Sequence, residues 1–226
     1  MKIYLHNAIF SKLGYPSAIF IIFLFAVSFA ANSQAADQKM HTLKNYSVNY
    51  ELGGNTTGSK QQYSLDYGRT ICWIEKSETS IMGNSQKKNV KVITYVKDGD
   101  QWIITIELDK NTGTKMKNPM YKAITGGMKG KTTKEFSESV MKQMGGKVVG
   151  EKTVNGEKCK EWTLMGGAST CITEDQIVVE SKADMAGISI SEVATEVNRN
   201  DPGPKGICSV GDAKIEEIDL GQMMGQ

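Results

Sequence analysis

Histidine is almost missing from this chain: there are two in 226 residues, His6 and His41. No Cys-x-x-Cys and no His-Glu-x-x-His occurs, so the ligand spacing of a standard zinc site is lacking. Gly-x-Ser-x-Gly, the turn that presents a hydrolase serine, is absent as well. Net charge is scarce, with 27 Lys+Arg against 25 Asp+Glu. A chain this close to neutral has no electrostatic case for nucleic acid or for an anionic membrane surface. Beyond the first 31 residues no apolar run approaches the roughly 20 residues that span a bilayer.

What the chain does have begins at its N-terminus. "MKIYLHNAIFSKLGYPS" carries Lys2 and Lys12 and no acid, residues 18–31 ("AIFIIFLFAVSFAA") carry no charge, and the small residues "NSQAAD" follow. This basic, apolar and small-residue order is that of a secretory signal. Cleavage after Ala35 puts Ser33 and Ala35 in the small-x-small positions; cleavage after Ala30 is the alternative. The apolar run is too short for a spanning helix, so no transmembrane anchor is expected after cleavage. The expected organisation is a signal at 1–35, one domain at 36–220 and a loose tail at 221–226. Without the leader's two lysines the charges balance at 25 of each sign. About 190 residues remain, enough for one domain with a real core.

Four cysteines, Cys72, Cys159, Cys171 and Cys208, all fall in the exported part. An even count outside the cytoplasm favours disulfides. Cys159 and Cys171 flank Gly166-Gly167 on the two arms of an expected hairpin and can face each other across it. Cys72 and Cys208 then pair by elimination or stay apart. The location expected is periplasmic or secreted.

From residue 43 onward the pattern is strand-like. "KNYSVNYEL" alternates Tyr46, Val48, Tyr50 and Leu52, and "NVKVITYVKDGDQWIITIELD" is rich in β-branched and aromatic residues around an Asp-Gly turn. Asn155-Gly156 marks another hairpin. The middle of the chain is helical in pattern. Met120, Ile124 and Met128 recur every four residues after Asn118-Pro119. Thr132 and Glu135 have capping-box spacing ahead of a stripe of Phe136, Val140, Met141 and Met144.

Other motifs fail on context. "TGGMKGKT" lacks the first glycine of a phosphate-binding loop and follows a helical pattern, not a strand. Ser139 and Lys142 form an S-x-x-K pair without its companion elements. The methionines sit at helical spacing, which suits an apolar lining better than copper ligation. No enzyme, metal or cofactor is nominated.

Three passages resemble one family. "YVKDGDQWIITIELDKNTGTKMKNPMY", "VVGEKTVNGEKCKEWTL" (with Gly150, Glu151, Val154, Gly156 and Cys159 in its signature strand) and "EVNRNDPGPKGICSVGDAKIEEID" are similar to the bacterial domain-of-unknown-function family 4412. They cover most of residues 95–219. That family is similar to the outer-membrane lipoprotein carrier superfamily. The resemblance implies an α+β, mainly antiparallel β fold: a half-open β-barrel with helices covering its concave face. It also implies a lipid or acyl-chain ligand. Trp102, Met120, Tyr121, Ile124 and Met128 are the candidate pocket residues, with Phe136, Val140, Met141 and Met144 from the second helix. The expected function is a non-enzymatic envelope protein that binds a hydrophobic ligand. The alternative is a structural or protein-interaction module with a filled barrel, whose partner is another envelope protein.

Overall fold

The computed structural model describes residues 39–122, 130–185 and 187–219. The expected leader, Ile124, Met128 and the C-terminal tail lie outside these residues. The strands are β1 (Tyr46–Gly54), β2 (Thr56–Leu65), β3 (Thr70–Ile81), β4 (Asn84–Lys97), β5 (Asp100–Glu107), β6 (Thr112–Lys117), β7 (Lys147–Val154), β8 (Glu157–Thr163), β9 (Ser169–Thr173), β10 (Val178–Met185), β11 (Ile188–Arg199) and β12 (Lys214–Glu217). The helix α1 (Thr133–Gln143) lies between β6 and β7.

All twelve strands join one sheet, in the order β12-β6-β5-β4-β3-β2-β1-β11-β10-β9-β8-β7. Neighbours are antiparallel except β12, which runs parallel to β6. β7 and β12 are the two ends, so the sheet is open. The turns come where the sequence supplies residues that tolerate positive φ: Asp98-Gly99, Asn155-Gly156 and Gly166-Gly167. Both disulfides are present, Cys159–Cys171 across the β8–β9 hairpin and Cys72–Cys208 over a sequence separation of 136.

The sheet has two regimes. From β1 to β6 the register runs without a shift. Elsewhere it slips, at Asn49/Tyr50 against β11, at Val178/Glu180 in β10 and at Val148/Gly150 in β7. Bulges of this kind bend a strand and sharpen its twist. Here they let the β7–β11 half fold back over β1, where Tyr46, Val48 and Tyr50 share a core with Val154, Cys159, Cys171, Ile177 and Val179. The Tyr50 hydroxyl donates to the Val178 carbonyl at 2.8 Å, and the Asn155 amide to that of Ala194 at 2.6 Å.

The expected α+β half-barrel with helices over its concave face is overturned. The described fold is nearly all β, and its one helix covers neither face. α1 starts as its sequence dictates: the Thr132 hydroxyl accepts the Glu135 N–H, and the Glu135 carboxylate accepts the Thr132 N–H. Its Met141 packs on Trp162 and Ile172. Side chains alternate along a strand, so that is the side of β8–β9 away from Cys159 and Cys171. Eleven helical residues span about 16 Å, whereas twelve strands spread over about 50 Å. A helix this short screens two or three strands.

Candidate functional site

Cross-strand partners in an antiparallel sheet point to the same face. Tyr46, Val48 and Tyr50 face inward, toward the side on which the sheet folds over. The unshifted register carries that inner face across to β6. One row reads Tyr46, Ser64, Ile71, Thr94, Ile103, Met116; the next reads Val48, Gln62, Trp73, Val92, Thr105, Thr114. Both rows are uncharged. Ile71 and Val92 are buried, while Trp73, Ile103 and Met116 are only half-buried. The result is an apolar floor edged with hydroxyls on β3–β6.

One end of this floor is charged. The third row reads Tyr50, Lys60, Glu75, Val90, Glu107, and the fourth includes Ser77 and Lys88. Lys60 Nζ pairs with Glu192 at 2.8 Å, with side chains only 11% and 14% exposed. The same ammonium lies 5.0 Å from the Tyr50 ring centroid and 5.7 Å from that of Trp73. Burial holds the Tyr50 phenol well above its usual range, and the negative potential of Tyr46 and Glu192 adds to it. Glu75 pairs with Lys88 at 2.8 Å and accepts from the Ser77 hydroxyl.

The outer face of the same strands is closed in a different way. Tyr63, Cys72, Ile93, Ile104 and Ile106 are buried there under Ile207, Cys208, Ala213 and Ile215 of the C-terminal segment. Cys72–Cys208 fastens this clasp, and Lys91 Nζ donates to the Ser209 carbonyl at 2.7 Å. The chain crosses Tyr63 at Gly203, where a Cβ would overlap the ring. Nothing in "NDPGPKG" has helical or strand periodicity, and in the sequence only the pairing of Cys72 with Cys208 by elimination ties this segment to β3.

Of the nine pocket candidates from the sequence, the seven among the described residues fall in different places. Trp102 is on the outer face, opposite Tyr95 and Lys117, with Lys115 Nζ 3.9 Å from its ring centroid. Met120 is 51% exposed and Tyr121 is buried. Phe136 and Met141 are buried, Val140 and Met144 half-buried. Of these, Met141 joins the core with Trp162 and Ile172. The inner-face residues Ile71, Trp73, Val92, Ile103 and Met116 were not singled out. The alternation in "TICWIEKS" and "KVITYVK" carries both faces at once, so only the pairing register separates them.

Two clusters lock the rest. The N-terminal segment 39–45 lies against a turn whose three residues, Asp66, Tyr67 and Gly68, all have positive φ. The Met40 and His41 N–H groups both donate to the Tyr67 carbonyl. The His41 ring stacks edge-on to Tyr46 and occupies the space that a Cβ at Gly68 would need. Burial lowers the His41 pKa to about 4. Arg199 makes a two-pronged pair with Glu157, at 2.8 and 2.7 Å, and also reaches Asp175 at 2.6 Å. The guanidinium holds Glu157 below the usual carboxylate range. For Asp175, burial pushes upward, but Arg199 and Thr173 outweigh it and the net shift is downward.

Among the described residues there is no group of three or more His, Cys, Asp or Glu arranged to hold a metal, and no helix is long and apolar enough to cross a membrane. No family model matches the chain, and no curated protein does. Among solved structures, the chain is similar to an uncharacterized conserved protein from Thermus thermophilus, at 10% identity and a TM-score of 0.46, covering 78% of this chain and 92% of that one. It is also similar to a DUF1329 family protein from Desulfovibrio piger, at 10% identity and a TM-score of 0.32, covering 77% and 93%. Neither likeness is close enough to fix a shared fold or function, and the resemblance to family 4412 rests on the quoted motifs alone.

Proposed function

We infer that this is an exported envelope protein that binds a hydrophobic ligand, a lipid or acyl chain, on the inner face of its sheet. The observation that carries the reading is the apolar floor of Ile71, Trp73, Val90, Val92, Ile103 and Met116, on the face opposite the C-terminal clasp. Half-buried Trp73, Ile103 and Met116 keep apolar surface that further contact would remove from water, at about 25 cal/mol per Å². The leader and the two disulfides support an oxidising, extracytoplasmic location. Native mass spectrometry and organic extraction of the protein purified from its own host test the reading. The expected result is a co-purifying lipid or acyl species. A protein that is consistently free of any apolar ligand and gains none from added lipid would overturn it.

A second reading, a protein-interaction module, is favoured by β7. It is the last strand of the sheet, and its Val148 and Val149 are 48% and 55% exposed beside Met165 at 73%. An unpaired edge can add a partner strand. The bulge at Val149 and the charges of Lys147 and Glu151 blunt that edge, which is why this reading ranks second. Cross-linking in the native envelope from a residue placed at position 149 would support it if one protein were captured in high yield.

A further inference from the structure

The charged end of the inner face is not required by the fold. Ion pairs taken out of water contribute little to stability, because desolvation offsets their attraction, and apolar residues of similar volume serve as well. Yet Glu192, Lys60, Glu75 and Lys88 follow one another in alternating sign on β11, β2, β3 and β4, with Lys60 reaching Glu192 across the intervening β1. The outer two pairs are each closed at 2.8 Å, and Lys60 lies opposite Glu75 in the register between them. Lys60 and Glu192 are almost wholly buried. In this ladder Lys60 and Glu75 lie one row beyond Trp73 and Val92, and Lys88 and Glu192 two rows beyond, at the edge of the apolar floor.

We propose that the ladder is a headgroup site for a zwitterionic amphiphile, whose acyl chain lies on the Trp73–Val92–Ile71 floor. The proposal rests on the hydrophobic-ligand reading above and specifies its ligand class. Two cations and two anions in alternation match a head that carries one charge of each sign. Each ammonium has three N–H donors and gives one to its carboxylate, so Lys60 and Lys88 can take a phosphate without breaking their pairs. Glu192 and Glu75 keep lone pairs for an ammonium group. The Trp73 and Tyr50 rings that flank Lys60 hold its ammonium in place through their faces. A net anionic head would meet Glu75 and Glu192 at close range, and an uncharged head would leave the ladder's remaining donors and acceptors unanswered.

The test is calorimetric titration of the full exported chain with three single-chain lipids of equal acyl length, each below its micelle concentration: a lysophosphatidylethanolamine, a lysophosphatidylglycerol and a monoacylglycerol. The expected result is binding of the zwitterionic lipid about tenfold or more tighter than of the uncharged one, the value of one charge-assisted hydrogen bond. Lys60→Met and Lys88→Met should each erase most of that preference, bringing the affinity for the zwitterionic lipid down toward that for monoacylglycerol. Lys88 is the safer variant for folding, since its side chain is 31% exposed. Equal binding of all three lipids, tighter binding of the anionic one, or a preference that survives both substitutions would overturn the proposal while leaving the hydrophobic-ligand reading intact. Binding of none of the three would overturn that reading itself, and the proposal with it.

Discussion

The two halves of the sheet solve the same problem in opposite ways. The β7–β11 half carries register shifts, folds over β1 and buries Val48, Cys171, Ile177 and Val179 completely. The β2–β6 half has none, and its inner face keeps Trp73, Ile103 and Met116 half-exposed while its outer face is sealed by a strap of C-terminal chain. A bulged sheet can provide its own second layer. A regular one has to borrow a layer, and on the outer face it borrows one from the C-terminal clasp fastened by Cys72–Cys208. The bulged half is therefore the more closed core, and the regular half is the one whose inner face keeps large apolar side chains half-exposed.

The largest test of that contrast removes the clasp's bond. Cys72→Ser/Cys208→Ser opens a loop of more than a hundred residues, worth about 5 kcal/mol in the chain-entropy model, against about 3 kcal/mol for the short loop of Cys159–Cys171. Denaturant unfolding of the two double variants should rank them in that order, and the first should expose the Tyr63–Ile93–Ile104 surface to a hydrophobic dye. Next, Ile177→Ala in the closed core should cost about 3 kcal/mol, as a deletion at a fully buried site does. Ile103→Ala on the half-open floor should cost about 1 kcal/mol and act mainly on ligand affinity. Equal losses of stability would erase the distinction between the halves.

A graded loss of stability is expected from acid. His41 is buried and neutral, with its pKa lowered from 6.5 to about 4. The unfolded chain therefore binds more protons between those values, and stability declines as pH falls through that window, by at most about 3 kcal/mol. The Tyr46 ring packs edge-on against the His41 ring, with the Tyr46 hydroxyl 3.4 Å from His41 Nδ1. Glu157 and Asp175, held low by Arg199, lose their contribution at lower pH, as they protonate. Thermal melts from pH 7 to 4 should show the decline in the native chain and a flatter profile in His41→Gln. The smallest effect belongs to Lys110→Ala. Its pair with Glu107 is largely exposed, and such pairs contribute less than about 1 kcal/mol.

Local chemistry was legible in the sequence wherever a few neighbouring residues decide the outcome. Asp98-Gly99 and Asn155-Gly156 turn the chain because their φ is positive. Thr132 and Glu135 cap α1 as a reciprocal pair. Cys159 meets Cys171 because a hairpin brings its own arms together. What was not legible depends on residues far apart. β12 pairs in parallel with β6, about a hundred positions earlier, and four residues carry no signal of that choice. The extra residues at Thr195 in β11 and Val179 in β10 reverse which side chains of those strands face inward, and no alternation pattern announces them. For that reason helical periodicity at residues 132–144 correctly gave an amphipathic helix but not the surface it would cover. The inner floor became readable only once six strands were in register.

The central claim is that an apolar ligand lies on the inner face of the regular half, and the three tryptophans report on it from three places: Trp73 on that face, Trp102 on the outer face and Trp162 under α1. Single-tryptophan variants titrated with a lipid brominated along its acyl chain compare the three directly. The account predicts strong quenching of Trp73 with Trp102 and Trp162 little changed. Quenching confined to Trp102 or Trp162, or no quenching of any of the three, would contradict it.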